Sequence, residues 1–396
     1  MKWEKVKLGD VCEITSSKRI FYSEYVDDGV PFYRSKEIIE SDEGKIIENP
    51  LYISVDKYNE IKEKFGVPQT GDMLLTSVGT IGIPYIIKKK DCFYFKDGNL
   101  TWFRDFREGL NSKYLYYWIK SSEGTGTLYN TTIGSSQKAL TISALKNIKV
   151  SLPPRSVQDK IVEVVSVYDD LIENNQKQIK LLEEAAQRLY KEWFVDLRFP
   201  GHENTKIVDG VPEGWNEKTL SQVADVIMGQ SPKSEFYNSE KKGLPFHQGV
   251  GSYGVRFVMD DIYSTSYSRI AEPNSILFSV RAPVGRLNIT KNKVVIGRGL
   301  AAINQTDGCQ SYLYYLLKNK FFKDNIVGNG SIFASVSKDE LLNQKFLIPE
   351  RNLMMQFEKI VSQMDKQIEN LDSKNKKLIE ARDRLLPKLM SGEVEV

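Results

Sequence analysis

The sequence predicts an α+β chain: two similar mixed α/β domains separated by an antiparallel coiled coil of two long helices, arranged as a pseudo-two-fold internal repeat. Three observations carry this reading. The heptamer YLYYWIK at 114–120 returns as YLYYLLK at 312–318, and its neighbours return with it in the same order. Each copy closes with a stretch whose apolar residues step alternately by four and three, the spacing of a coiled-coil seam. The 396 residues, 41% hydrophobic and 27% charged, form an ordinary globular chain with room for two or three domains.

Outward from the heptamers, Trp3 and Leu8 match Trp215 and Leu220, and Pro31-Phe32 matches Pro245-Phe246. MLLTSVGTIG (73–82) matches ILFSVRAPVG (276–285), Gly134-Ser135 matches Gly330-Ser331, and Leu145 and Pro153 match Leu341 and Pro349. A repeat of this length means two domains of one kind rather than a solenoid of short units. The expected boundaries are 1–154 for the first domain, 155–198 for the first spacer helix, 199–350 for the second domain and 351–391 for the second spacer helix. Within the first domain, KLGDVCEI, DMLLTSV and NIKVSLP read as strands and KYLYYWIKSS as a short helix with core aromatics. TTIGSSQ and VGNGSIFAS, rich in Gly and Ser, read as loops.

The first seam is Ile161, Val165, Tyr168, Ile172, Asn175, Ile179, Leu182, Ala186, Leu189 and Trp193. The second is Phe357, Val361, Met364, Ile368, Leu371, Asn375, Leu378, Arg382, Leu385 and Leu389. A narrow apolar stripe needs a partner, and a whole domain between the two helices makes fold-back pairing natural. Opposing Asn175 to Asn375 also pairs Ile161 with Leu389 and Trp193 with Phe357. A seam asparagine is costly, and its best-attested use is to fix register. Arg382 stands where the first seam has Ala186; it either lies at the seam edge with a flattened stem or marks a contact to another subunit.

Several function classes find no support. No run of about 18 apolar residues exists, so no membrane span is expected. MKWEKVKLGD has no apolar core for export, which points to a cytoplasmic protein. Cys12, Cys92 and Cys309 are scattered singly, against a disulfide framework or zinc site, and His202 and His247 are the only histidines. There is no phosphate loop, no HExxH and no GxSxG. NPLY at 49–52 lacks the second proline of an amino-methyltransferase motif, and GVGSYG at 249–254 opens no helical pattern. No catalytic residue and no metal ligand is expected.

Net charge is only +3, and the positive excess falls within 1–149 and 212–349 rather than in the helical stretches. The loops of those two regions hold side chains suited to base edges and phosphates. In the first they are Lys18, Arg19, Arg34, Ser35, Lys36, Ser77, Thr80, Ser135, Ser136, Gln137 and Lys138. In the second they are Gln230, Ser231, Lys233, His247, Gln248, Arg281, Arg286, Ser331 and Lys338. The framework agrees between copies while these residues differ: Arg34 falls where the second copy has His247-Gln248, and Thr80 falls near Ala282-Pro283. Duplicates of that kind suit the reading of two different sequences.

The duplicated Trp…Leu opening, the GDMLLTSVGTIG-like segment, the LPP…Q run into the first helix with its LIPE…Q counterpart before the second, RLYKEWFVDLRFPG and VPEGW together resemble the specificity subunit of type I restriction-modification systems. The resemblance covers essentially the whole chain. It implies two target-recognition domains, each recognising one half of a split DNA site, and two spacer helices packed antiparallel. It implies a non-catalytic chain that recruits two modification subunits, which carry S-adenosylmethionine and methylate adenine N6. Restriction subunits, which use ATP and Mg to translocate and cleave DNA, are further expected partners. The alternative is a stand-alone sequence-specific DNA-binding or scaffold protein.

Overall fold

The computed structural model describes residues 3–42, 47, 49–134, 138–321 and 335–396. The chain divides into two compact units, Met1–Lys177 with Asp372–Val396, and Gln178–Leu371. Two helices, Arg155–Phe194 and Arg351–Ser391, each contribute residues to both units.

The first unit is built on two four-stranded sheets. One runs in the order Glu13–Thr15, Leu100–Arg104, Met73–Thr76, Pro84–Ile86, all antiparallel. The other runs Tyr25–Val26, Leu51–Ile53, Val30–Tyr33, Tyr94–Phe95, its last pair parallel. Alternation explains why Met73–Thr76 is buried throughout and apolar as far as Leu75, since successive side chains of a strand enter opposite layers. Met73 and Leu75 join the cluster of Tyr114, Leu115 and Trp118, while Leu74 joins Phe95, Leu100 and Trp102 on the other face.

The second unit repeats this scheme. Ile276–Ser279 lies between Leu300–Gln305 and Leu287–Ile289, with Ala224–Met228 outermost. Ile276 and Phe278 face the tyrosine-helix cluster, and Leu277 packs with Leu300 and Ala302. Leu244–His247 again pairs in parallel with a partner strand, here Val294–Ile296.

The tyrosine heptamers are the helices Ser112–Lys120 and Gln310–Phe321. Asn111 caps the first by accepting from the Lys113 and Tyr114 amides. Tyr114, Leu115, Tyr117, Trp118 and Ile119 are buried in one unit, and every residue from Tyr312 to Leu317 in the other. At about 1.5–3 kcal/mol for each large side chain removed from water, these helices anchor their units.

One expected strand has a different form. KLGDVCEI contains a helical turn, Leu8–Val11, between the strands Glu4–Lys7 and Glu13–Thr15. Leu8 and Cys12, four apart, are both buried, and the Cys12 amide donates to Leu8 O at 3.1 Å. That is helical spacing, hidden in a stretch too short to show a period. The second copy repeats the turn as Leu220–Val223, where Thr219 and Gln222 form a capping box.

The long helices pair antiparallel within each unit. In the first, Ile161 and Val165 share a cluster with Leu385 and Leu389, and Asn175 Nδ2 donates to Asn375 Oδ1 at 2.8 Å. In the second, Ile179 and Leu182 pack with Ile368 and Leu371, and the Trp193 and Phe357 rings lie 6.0 Å apart. Position numbers rise along one helix as they fall along the other, with no slip of register in either unit. Arg155 opens the first helix directly after Pro153-Pro154, where a helix cannot continue backwards. No described helix is long and apolar enough to cross a membrane.

Candidate nucleic-acid interface

In the first unit the parallel strands Val30–Tyr33 and Tyr94–Phe95 finish at the same edge, delivering Arg34-Ser35 and the 96–99 turn side by side. Met73–Thr76 delivers Ser77 there too: the Ser77 amide donates to Asn99 O at 2.8 Å, and Ser35 Oγ donates to the same oxygen at 3.4 Å. The Leu140 amide donates to Ser77 O at 2.9 Å, and Val78 bridges Ala139, which brings in Lys138. Lys138 is exposed, with its ammonium 3.5 Å from the Tyr129 ring centre.

Arg34 is the most constrained side chain of this edge. Its Nη2 donates to Glu37 Oε1 at 2.6 Å and its Nε to Glu37 Oε2 at 3.3 Å, while its own amide donates to Oε2 at 2.7 Å. Burial pushes the Glu37 carboxyl up, but the bonds from Arg34 outweigh it and hold the group below the usual carboxylate range. The same bonds raise the Arg34 guanidinium further above its ordinary value.

Ser77 itself is buried, its hydroxyl 2.7 Å from Thr101 Oγ1 and donating to Leu75 O, so it belongs to the scaffold of this edge. Thr80 and Lys36 are exposed, the latter 3.6 Å from Glu40. Lys18 covers the Phe65 ring at 4.2 Å, and Arg19 pairs with Asp97 at 2.8 Å. Ser135, Ser136, Gln137 and Ser331 lie outside the described residues.

The second unit builds the same edge. The Val280 amide donates to Gly299 O as Ser77 does to Asn99, and the Val336 amide donates to Val280 O as Leu140 does to Ser77. Strand pairing aligns Phe32 with Phe246, so Arg34 corresponds to Gln248. The bonds from Gly82 to Thr76 O and from Gly285 to Ser279 O align the intervening turns, so Thr80 corresponds to Pro283. Ser231 Oγ donates to Gln248 Oε1 at 2.8 Å and accepts from the Arg298 amide at 3.2 Å. Gln230 is tied in through its amide to Ile296 O and through its carbonyl, which accepts from Ser268 Oγ.

His247 is fully buried, its ring nitrogens 2.9 Å from Ser252 Oγ and 3.2 Å from Asp260 Oδ1. It is a post supporting Gln248 and presents no edge to solvent. Arg281 is exposed and bridges Ser335; the Arg286 amide donates to Ser279 Oγ at 2.8 Å. Lys233 is exposed near Glu235, and Lys338 opens the short helix Lys338–Leu342 behind its cap, Ser337. Arg19 thus joins the edge through Asp97 of the 96–99 turn, and the Lys18 amide donates to the Tyr94 hydroxyl at 2.7 Å, whereas Lys233 stands at the start of the turn Ser234–Phe236.

Arg298 and Glu37 have no motif of their own. The available signal for Arg298 is the pair of glycines around it, Gly297 and Gly299. A Cβ on Gly297 would sit 2.7 Å from Gln248 Oε1, and one on Gly299 would sit 2.6 Å from Gln248 O. Such approaches need glycine, and they mark where two backbones close on each other. Among the described residues no group of three or more His, Cys, Asp or Glu side chains is placed to hold a metal ion.

The profile of the type I restriction modification DNA specificity domain matches residues 1–184 and again 212–381. The chain belongs to this family. It is the DNA-recognition component of a type I restriction-modification system, a role of recognition and not of catalysis. A putative type I restriction enzyme MjaX specificity subunit of Methanocaldococcus jannaschii is 28% identical over 403 residues, spanning 100% of this chain and 94% of that protein. The HindI specificity subunit of Haemophilus influenzae is 24% identical over 331 residues, covering 64% of this chain and 71% of that one. The crystal structure of a type I system S subunit from M. genitalium shares the fold with a TM-score of 0.58, at 17% identity over 98% of this chain and 96% of that one. Each profile match contains one copy of the edge described above together with most of the long helix that follows it.

Proposed function

We propose that each unit reads one half of a bipartite, asymmetric DNA target through its loop edge, and that the paired helices set the gap between the halves. One observation carries this reading: two edges with the same backbone hydrogen bonds present different polar side chains, Arg34 with Glu37 in one and Gln248 with Ser231 in the other. A shared scaffold with divergent base-directed groups reads two unlike sequences. Exposed Lys36, Thr80 and Lys138 around the first edge, and Gln230, Arg281, Arg298 and Lys338 around the second, supply backbone and further base contacts. Arg286 adds a cation beside the second.

On this reading the expected domain limits, 1–154 and 199–350 with spacer helices 155–198 and 351–391, divide the chain by task. The chain recruits two modification subunits, where S-adenosylmethionine binds and adenine N6 is methylated, and restriction subunits that use ATP and Mg. Unbroken register in each helix pair supports the role of a ruler. The test is to reconstitute the chain with its modification subunits and map methylated adenines in genomic DNA. The expected result is one bipartite motif with unlike halves and a fixed gap. A single continuous motif, or methylation without sequence preference, refutes the proposal.

A further inference from the structure

Arg34 and Gln248 occupy the same position in the two copies, immediately past the strand that pairs in parallel at the edge. Each is held by a second side chain that leaves one pattern of donors and acceptors facing outward. Glu37 engages the Nε and Nη2 side of the Arg34 guanidinium and is itself only 2% exposed, whereas the Arg34 side chain is 38% exposed. What remains outward is the Nη1–Nη2 side, two parallel N–H donors in a fixed plane. The pairing also neutralises the arginine's charge locally, which weakens it as a phosphate anchor and leaves its geometry intact.

Gln248 has the complementary arrangement. Ser231 Oγ donates to its Oε1, and the Arg298 amide in turn donates to Ser231 Oγ, which tethers the Gln248 amide at the strand end. That leaves a lone pair on Oε1 beside the Nε2 donors, an acceptor next to a donor. Gly297 and Gly299 hold the backbone tight behind it, since a Cβ on either would strike Gln248 within 2.7 Å.

Two adjacent acceptors, O6 and N7, are the major-groove edge of guanine, and a donor beside an acceptor, N6 and N7, is that of adenine. The geometry points to Arg34 as the reader of a guanine in one half-site and Gln248 as the reader of an adenine at the corresponding place in the other. This rests on the proposed function, and it names the base that each edge selects.

The experiment selects bound duplexes from a randomised DNA pool, using the full chain assembled with its modification subunits. Wild type yields two half-site consensus sequences. Arg34→Gln is expected to move one base pair of one half from guanine towards adenine, weaken binding to the wild-type target about 10- to 100-fold, and leave the other half unchanged. Gln248→Arg is expected to move one base pair of the other half from adenine towards guanine. Because Arg34→Gln leaves a buried carboxylate unpaired, the double variant Arg34→Gln/Glu37→Gln is selected alongside it and is expected to show the same switch. Weaker binding to all sequences alike marks Arg34 as a phosphate contact and overturns the inference. An unchanged consensus from folded variants overturns it too, while the wild-type consensus leaves the proposed function standing. If wild type itself selects no sequence, the proposed function fails, and this inference fails with it.

Discussion

Arg382 Nη1 donates to Asp169 Oδ1 at 2.7 Å, joining the two long helices within the first unit. The other Asp169 oxygen accepts from the Tyr117 hydroxyl at 2.7 Å, so one carboxylate ties both helices to the recognition domain. Its repeat counterpart, Asp365, meets a different arginine. At the place of Arg382 the second unit has Ala186, fully buried beside Tyr190, and the cation comes from the domain as Arg256. Arg256 pairs with Glu183 and Asp365, bonds the Tyr315 hydroxyl at 3.2 Å, and lies 4.1 Å from the Tyr314 ring centre.

These two clamps differ in burial, and the difference sets a prediction. Arg256 is 3% exposed, while the Arg382 side chain is 21% exposed. Arg256→Ala leaves two carboxylates facing a buried void and is expected to cost about 3–5 kcal/mol. Arg382→Ala admits water and is expected to cost about 1–3 kcal/mol. Urea unfolding of the two variants checks the order; equal losses would refute the argument from burial.

The Asn175–Asn375 bond predicts a non-additive pair. Either asparagine changed to Leu leaves the other buried without its partner, a loss of about 1–3 kcal/mol. The double change Asn175→Leu/Asn375→Leu removes both polar groups and is expected to recover that loss or exceed wild type, with register then less strictly specified. A double-mutant cycle in urea measures the coupling. Simple additivity of the two single losses would show that the hydrogen bond does not contribute.

The repeat and the seam were legible because each spans many residues, and a period gains certainty with length. Counting along the helices from Asn175 and Asn375 sufficed to place Trp193 against Phe357. The clamps were not legible. Arg256 sits in SYGVRFV, where nothing marks an arginine that becomes buried; its burial follows from carboxylates on two distant helices. His247 and Ser77 looked like loop polar groups, and only the third dimension turns their side chains inward. Glu37 reads as an ordinary acid in SKEIIE until the strand end brings Arg34 onto it.

The Arg34–Glu37 pair gives stability a defined acid dependence. Glu37's folded carboxyl lies below its ordinary value near 4.5, so its contribution is complete above that value and is lost as pH falls through the folded value. Wild type is therefore expected to lose its advantage over Glu37→Gln as pH drops from neutrality to well below 4.5. Unfolding curves of both proteins across that range provide the check, and a difference independent of pH would show that the pair does not stabilise the fold.

If the paired helices set the gap between half-sites, their length is a ruler that can be cut or extended. One heptad is about 10 Å of helix at about 1.5 Å per residue, which corresponds to about three base pairs of duplex. A heptad keeps the seam on the same face, so adding or removing one in both helices together leaves Asn175 opposite Asn375. Changing one helix alone would force a register slip and cost the asparagine bond. The matched variant, assembled with its modification subunits, is expected to prefer a gap changed by about three base pairs in the direction of the change, with both half-site sequences unaltered. Selection from duplexes of graded gap length reads the preference directly. A folded, assembled variant that keeps the wild-type gap would show that something other than the helix pair measures the distance.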